Sequence, residues 1–292
     1  MKTLNIIGCG KVGMVLGRLF HEGRIFRIGE ILNRSLESGQ RAAAFIGEGH
    51  PVAGFDQMGP ADLWLIAASD DAITACADGL AASAVVQPGT VVWHLSGALT
   101  AAVLAPVQKK GAQTASVHPV KSFADAALSV REFPGTWCGL EGDEGAVAVL
   151  SAALTSLGAN LFAVDPAFKT IYHAGSVIVC NYLTALLEVG LRSYEKAGLP
   201  RETATQVMEP LVRGTLENVF GLGTGQALTG PIARGDAAVV EQQLAALESW
   251  DGEVALLYRT LGRVALDLAR RRAGNSPAMD TLQELLAEKT SG

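Results

Sequence analysis

The chain has 292 residues and a formal net charge of −6, with 49% hydrophobic and 18% charged residues. This length suits two domains of ordinary size, and the composition can bury a large core, which excludes a mainly disordered chain. Because acids and bases are interspersed and acids prevail, we expect neither nucleic acid nor an anionic membrane as the main partner.

The cysteines and the apolar segments predict a soluble, cytoplasmic protein. Four cysteines lie far apart without a CxxC pair, which indicates reduced thiols rather than disulfides or a metal site. The opening residues MKTLNIIGCG run directly into a strand and a glycine loop, so we expect no signal peptide. The most apolar stretch, 176–189, is interrupted by Asn181 and Glu188 and is predicted to be too short and too polar to span a bilayer.

Residues 1–165 alternate short apolar runs with helical patterns, which predicts a mostly parallel, doubly wound sheet covered by helices. The predicted strands are 3–7, 28–33, 52–53, 63–67, 91–95, 113–117, 137–140 and 160–164. The helices predicted between them include 12–22, 37–46, 100–108 and 144–157.

From Asp165 onward the helical period dominates. Asp165 followed by Pro166 predicts a helix start, and Gly198 with Pro200 predicts its end near Ala197. Further helices are predicted at 201–220, 236–248, 250–272 and 277–289, with a non-periodic linker at 221–236. The sequence therefore predicts a Rossmann domain over 1–165 and an all-α helical domain over 166–292.

A glycine fingerprint, GCGKVG, follows the first predicted strand and opens the first helix. In this context Gly8 permits a tight turn, Gly10 admits a pyrophosphate and Gly13 lets the helix pack closely on the strand. Free amides at the helix start favour the negative charge of a dinucleotide. The residues predicted to form this part of the cofactor site are Gly8, Cys9, Gly10, Lys11, Val12 and Gly13.

The end of the second predicted strand favours NADP(H) over NAD(H). Where an NAD site usually has an acid, this chain has Asn33, Arg34 and Ser35. The arginine offers a fork of donors to a 2′-phosphate and the serine a hydroxyl. The alternative is that Arg34 is only a surface residue after the strand.

Two further strand ends are predicted to face the same crevice, because ligands bind beyond the carboxyl ends of an open sheet. Ala68, Ser69 and Asp70 follow one strand, and Ser96 and Gly97 follow the next. We predict that these residues contact the cofactor, although Asp70 could equally cap the helix that follows.

Three side chains are candidate proton donors. His118 follows the sixth predicted strand, with Lys121 nearby, and a histidine exchanges protons near neutral pH. On the long helix Lys169 and His173 are one turn apart, and Ser176 lies on the same stripe. A lysine at a helix start is disfavoured by the helix dipole, so we expect it to have a partner.

Lys121, Ser176, Asn181 and Arg234 are predicted to bind the substrate. Asn181 lies in an apolar segment, where its amide should be hydrogen-bonded to protein or ligand. Arg234, in LTGPIARGD, could bind a substrate carboxylate or merely pair with an acid. The alternative to a role in proton transfer is that Lys169 is exposed to solvent and that His173 is hydrogen-bonded within the protein.

The chain resembles the superfamily of pyrroline-5-carboxylate reductase, ketopantoate reductase and the β-hydroxyacid dehydrogenases. The resemblance is closest to uncharacterised Rossmann-like proteins of that group, candidate NADP oxidoreductases with a C-terminal domain of unknown function. The matching segments are GCGKVG, ILNRS, SDDAI, HLSG, SVHPVKSF, KTIYHAGSVIVCNYL and LTGPIARGD. Lys169 matches a catalytic lysine of the hydroxyacid and ketopantoate branches, but His173 replaces the asparagine that follows it there. The threonine-rich loop of pyrroline-5-carboxylate reductases is also replaced, by LTGPIARGD.

The resemblance implies an NADP(H)-dependent oxidoreductase, acting on a small carbonyl or imine that bears a carboxylate. It also implies a helical domain like the C-terminal domain of 6-phosphogluconate dehydrogenase, and a homodimer formed through that domain. The alternative is a non-catalytic NADP(H) sensor or regulatory protein that has kept the cofactor cradle.

Overall fold

The structure is a computed structural model that describes residues 1–287. The end of the last predicted helix, at 288–289, lies outside the described residues. The chain forms two compact units, Met1–Asn181 and Tyr182–Gly292.

The first unit contains one eight-stranded sheet of order β3-β2-β1-β4-β5-β6-β7-β8. Every neighbouring pair is parallel except β6 and β7, which are antiparallel. All eight predicted strands are present, with ends that differ by up to two residues. The strands are β1 Lys2–Ile7, β2 Phe26–Leu32, β3 His50–Val52, β4 Leu63–Ile66, β5 Val91–His94, β6 Gln113–Pro119, β7 Trp137–Gly142 and β8 Asn160–Ala163.

Helices cover both faces of this sheet, as the continuous apolar strands predict. They are α1 Lys11–Glu22, α2 Leu36–Ile46, α3 Asp70–Ala82, α4 Ala105–Gln108, α5 Ala126–Arg131, α6 Glu144–Ser156 and α7 Lys169–Val177. Ile6 of β1 belongs to one core cluster with Leu16 of α1, whereas the adjacent Ile7 belongs to a second cluster with Ile73 of α3. The chain order reverses between β1 and β4, so the crevice beyond their carboxyl ends is the expected ligand position.

A buried asparagine interrupts the ladder between β1 and β2. Leu4 pairs with Ile28 but Ile6 pairs with Ile31, so β2 carries one extra residue. The Asn5 side chain accepts a hydrogen bond from the Glu30 amide at 2.8 Å and donates one to the Gly59 carbonyl at 3.1 Å. This side chain thus satisfies backbone groups that the bulge removes from the regular ladder.

The second unit is helical. Its helices are α8 Leu183–Lys196, α9 Arg201–Leu222, α10 Thr224–Ala227, α11 Pro231–Arg234, α12 Ala237–Trp250, α13 Gly252–Ala273 and α14 Pro277–Leu286. Val240, Leu266 and Leu282 are among the residues of its core. The linker at 221–236, predicted to be non-periodic, contains the short helices α10 and α11, and Arg272 donates to the Leu228 carbonyl in it at 2.9 Å.

The compact units divide later than the predicted domain boundary at residue 165. The predicted boundary marks where the helical pattern begins, but α7 packs with the sheet because Lys169 is bound by residues of β6 and β7. The predicted single helix is also interrupted: a 3-10 turn covers Pro166–Phe168, and a π-helical turn covers Ile178–Tyr182 between α7 and α8.

Within the described residues, one helical stretch, Pro166–Lys196, is long and apolar enough to cross a membrane, judged by length and composition alone. This stretch is longer than the segment 176–189 that the sequence analysis considered. A single stretch of this kind is weak evidence of a membrane span, since core helices of soluble proteins pass the same criterion.

Candidate dinucleotide and proton-transfer site

The glycine loop after β1 has the geometry that its motif predicts. Gly8 has φ of +75°, and a Cβ there would lie 2.6 Å from the Ala68 Cα, so only glycine fits. A Cβ on Gly13 would lie 2.9 Å from the Ala67 Cβ, which reflects the close approach of α1 to the strand end. A Cβ on Gly10 would meet only the Gly8 carbonyl oxygen, at 4.0 Å. The space above Gly10 is therefore open.

The start of α1 offers an anion site. Gly10 is the N-cap and provides no side-chain cap, and the first turn contains no acidic residue. The first amides of α1, including those of Lys11 and Val12, therefore have no partner within the helix. The Lys11 ammonium donates to the Ala124 carbonyl at 2.7 Å. Cys9 is buried, and burial raises the pKa of its thiol to about 12, so the group stays a neutral thiol at pH 7.

Asn33 fixes the glycine loop. The Cys9 amide donates to the Asn33 Oδ1 at 2.6 Å, and the Asn33 amide group donates back to the Cys9 carbonyl at 3.3 Å. Asn33 was predicted to contact the cofactor directly. Its side-chain bonds also hold the loop, and its contact with the cofactor stays a prediction.

A cleft of about 910 Å³ runs along these strand ends. Of the predicted cofactor residues, it is lined by Gly8, Cys9, Gly10, Lys11, Asn33, Arg34, Ala68 and Ser69. It is also lined by Ser38 and Arg41, which sequence analysis missed. Ser38 and Arg41 are three residues apart on α2, which begins just after Arg34, so this helical spacing was the available signal. Arg41 also forms an ion pair with Glu37, one turn earlier on α2.

The other predicted cofactor residues, Val12, Gly13, Ser35, Asp70, Ser96 and Gly97, are not among the residues lining this cleft. Ser35 caps α2, accepting from the Ser38 amide at 3.2 Å. Asp70 begins α3 and is exposed. The Ser96 side chain is buried and accepts from the Leu99 amide at 2.9 Å, so its oxygen stabilises the turn after β5. Contacts of these side chains with a cofactor stay predictions.

Lys169 is buried in an ion pair. Its ammonium lies 2.8 Å from the Glu141 Oε1 and donates to the Ser116 hydroxyl, and the two charged side chains are only 2% and 6% exposed. Glu141 Oε1 also accepts from the Ala101 amide at 2.8 Å. Burial lowers the pKa of Lys169, and the bond to Glu141 partly offsets this effect. The expected partner of the lysine is therefore Glu141.

His118 and His173 converge on Gly97, just beyond the end of β5. Their ring centroids are 5.7 Å apart. A Cβ on Gly97 would lie 2.4 Å from the His173 Cδ2 and 2.8 Å from the His118 Nε2, so a side chain here would displace both rings. Burial, together with the nearby His173 and Lys169, lowers the pKa of His118 to about 4. His118 is therefore neutral at pH 7.

The four residues predicted to bind the substrate lie in different surroundings. Lys121 pairs with Glu132 at 3.1 Å, and Arg234 pairs with Asp236 at 2.8 Å. Ser176 is half-buried on α7, whereas Asn181 is exposed in the π-helical turn. Both cations predicted to anchor a substrate carboxylate thus already have an acidic partner.

Within the described part of the chain, no group of three or more His, Cys, Asp or Glu side chains is arranged to hold a metal ion.

His94 is expected to make the protein sensitive to acid. It is fully buried, its Nδ1 accepts from the Ser96 amide at 3.1 Å, and its Nε2 faces the Thr100 carbonyl at 3.1 Å. Burial lowers its pKa from 6.5 to about 4, so the unfolded chain binds the extra proton first. The stabilisation is complete above pH 6.5 and falls by roughly 3 kcal/mol by pH 4. Urea unfolding at pH 6.5 and pH 4 measures this effect in the wild type and in His94→Asn. The variant should lose less free energy of unfolding between the two pH values than the wild type does. Equal losses in the two proteins would show that His94 is not the cause.

Comparison with known proteins assigns both parts of the chain. Residues 2–119 match the Rossmann-like domain, and residues 136–265 match the domain of unknown function DUF2520. The chain is a Rossmann-like domain followed by a DUF2520 domain. This confirms the resemblance and the fold class that the motifs predict.

Several solved structures are similar to this Rossmann-like and DUF2520 chain. Protein TM1727 from Thermotoga maritima is 27% identical with a TM-score of 0.73, covering 92% of this chain and 99% of its own. A candidate NADP oxidoreductase, BF3122 from Bacteroides fragilis, is 21% identical with a TM-score of 0.72, and the match covers 90% of this chain and 97% of BF3122. A pyrroline-5-carboxylate reductase from Coxiella burnetii is 18% identical with a TM-score of 0.58, and the match covers 97% of this chain and 98% of the reductase. A search of curated proteins found no match.

Proposed function

We propose that this protein is an NADP(H)-dependent oxidoreductase that transfers hydride to or from a small carbonyl or imine. The observation that carries the proposal is the cleft at the end of β1 and β2, where the open space above Gly10 adjoins Arg34. The first amides of α1 suit a pyrophosphate, and Arg34 with Arg41 suits a 2′-phosphate. The structural neighbours support the same assignment, since they include a Plasmodium falciparum pyrroline carboxylate reductase with NADP bound and an Aspergillus terreus reductive aminase with NADPH.

When bound, the reduced nicotinamide supplies the hydride. The chain's own contribution is to supply and orient a proton. Because His118 and His173 flank Gly97 while Lys169 is tied to Glu141, we assign the direct proton transfer to the histidines. We assign Lys169 to holding α7 against β6 and β7. A substrate carboxylate is left out of the proposal, because Lys121 and Arg234 are already paired.

We also propose a homodimer formed through the helical part of the chain. Several apolar side chains there are exposed, among them Tyr182, Leu211 and Phe220. Large exposed apolar side chains that adjoin one another mark interaction sites, and a dimer would cover them. Light scattering should give twice the chain mass, and a monomer would contradict the proposal.

We further propose a cytoplasmic location, because the four cysteines are free thiols, which a reducing compartment preserves.

The test of function is transfer of deuterium from 4-deuterated NADPH to a panel of ketones, aldehydes and cyclic imines, read by mass spectrometry. With an accepted substrate, His118→Asn should lower kcat on the order of a hundredfold while the Kd for NADPH stays unchanged. Unchanged turnover would remove His118 from the mechanism. Tight NADPH binding without transfer to any compound would instead indicate the sensor alternative.

A further inference from the structure

Tyr172 contacts the candidate proton donor from α7. Its hydroxyl lies 2.7 Å from the His118 Nδ1, and the two rings meet edge to face with centroids 5.6 Å apart. Tyr172 lies three residues after Lys169, which anchors the start of α7, and immediately before His173. The same short helix thus carries the buried anchor, this hydroxyl and the second histidine.

The phenol ring is held by aromatic packing. The ring centroids of Tyr172 and of Phe162 in β8 are 5.8 Å apart, and those of Phe162 and of Trp137 in β7 are 6.1 Å apart. Burial, with the nearby Cys138, raises the pKa of Tyr172 to about 12. The hydroxyl therefore keeps its proton at neutral pH and is fixed where it can donate.

His118 has two different neighbours at its two nitrogens. As a neutral imidazole it carries one proton, on either Nδ1 or Nε2. Nδ1 faces the Tyr172 hydroxyl, and Nε2 faces Gly97 beyond the end of β5. A donor at Nδ1 places the ring proton on Nε2, which is the nitrogen that faces Gly97.

We propose that Tyr172 is a positioning residue that donates its hydroxyl proton to His118 Nδ1 and so makes His118 Nε2–H the proton donor to the substrate. The inference rests on the proposed reductase function. Hydride addition leaves an electron pair on the substrate oxygen or nitrogen, which forms a new bond to the Nε2 proton. As the Nε2–H bond breaks, Nδ1 takes the phenolic proton, and the phenolate then regains a proton from water, which leaves as hydroxide. Exchange with water removes the Nδ1 proton and restores the one on Nε2 before the next turnover. Each proton is accounted for, and His118 stays neutral throughout.

The first test reads the tautomer without any turnover. In protein labelled with 15N-histidine, two-bond proton–nitrogen NMR at pH 7 distinguishes protonated Nε2 from protonated Nδ1, and His118→Asn assigns the signals. We expect the wild-type His118 to show the Nε2–H pattern and Tyr172→Phe to show a mixed pattern. A wild-type Nδ1–H pattern, or no change in Tyr172→Phe, would overturn the inference even if the protein reduces substrate.

The second test separates positioning from folding. Tyr172→Phe keeps the ring that packs on Phe162, so we expect an unchanged Kd for NADPH and an unchanged KM, with kcat lowered on the order of tenfold to a hundredfold. Tyr258→Phe is the matched control, because Tyr258 also has a half-buried hydroxyl, bonded to Gln243 at 2.6 Å, but lies in the helical unit. Equal effects of the two variants on kcat would contradict the assignment.

Discussion

Replacing Lys169 with methionine is expected to lower the free energy of unfolding by about 3–5 kcal/mol. The substitution leaves the Glu141 carboxylate without its cation, at a position where the side chain is 6% exposed. A buried carboxylate is poorly solvated, which costs free energy, and in the variant the attraction to the Lys169 ammonium no longer offsets that cost. The Ser116 hydroxyl loses the same partner. Urea unfolding at pH 7, in the absence of nucleotide, measures the effect.

A second substitution tests the cause. In the double variant Lys169→Met with Glu141→Gln, no charge stays buried, and the amide oxygen can still accept from the Ala101 amide. We expect most of the lost stability to return, because neutral replacements of both partners of a buried pair are often tolerated. A double variant as unstable as Lys169→Met would show that the loss comes from packing, not from the unpaired charge.

Lys121→Met is the matched control for this pair. Lys121 also pairs with a glutamate, Glu132 at 3.1 Å, but their side chains are 20% and 53% exposed. Exposed pairs contribute little, so this variant should lose at most about 1 kcal/mol. Similar losses in Lys121→Met and Lys169→Met would contradict the account of Lys169 as the buried anchor of α7.

Replacing Arg34 with alanine is expected to weaken NADPH binding by about tenfold to a hundredfold while the affinity for NADH changes little. Arg34 lines the cleft after β2, and only NADPH has a phosphate on the adenosine ribose. A hydrogen bond to a charged group contributes about 1.5–3 kcal/mol, which corresponds to this range. Arg41→Ala should have a smaller effect on NADPH, because Arg41 is also paired with Glu37.

The control for Arg34, which follows β2, is an arginine on β2 itself. Arg27, near the start of β2, is exposed, donates to the Thr3 hydroxyl at 2.8 Å and does not line the cleft. Arg27→Ala makes the same change in net charge and should leave both nucleotide affinities unchanged. If the Arg34 and Arg27 variants weaken NADPH and NADH equally, the arginine acts through overall charge and does not select the 2′-phosphate.

The sheet and the glycine loop could be predicted because their signals are local. Buried parallel strands are continuous apolar runs, and GCGKVG requires its glycines within a few residues of one another. The extra residue in β2 could not be predicted, since it depends on the Asn5 side chain meeting a neighbouring strand. The antiparallel direction of β7 likewise depends on the path of the chain between strands, which periodicity does not encode.

The proton-transfer site was only partly predictable. Lys169, His173 and His118 were found as chemically active residue types, but Glu141 was not predicted, because its contact with Lys169 joins residues 28 positions apart. Tyr172 gave no signal beyond its position one turn after Lys169, because its contact with His118 joins residues 54 positions apart. The first compact unit likewise extends to Asn181, beyond the predicted boundary at 165, and the helical period cannot show that the first turns of a long helix pack with the sheet.

The most direct test of the central claim is calorimetry of NADPH and NADH with the wild-type protein and with Gly10→Val. A Cβ at Gly10 meets no protein atom closer than 4.0 Å, so we expect the variant to fold and its side chain to occupy the space assigned to the pyrophosphate. We predict NADPH binding at least about tenfold tighter than NADH in the wild type, and loss of both in Gly10→Val. No heat with either nucleotide at millimolar concentration, or undiminished binding by Gly10→Val, would contradict the account.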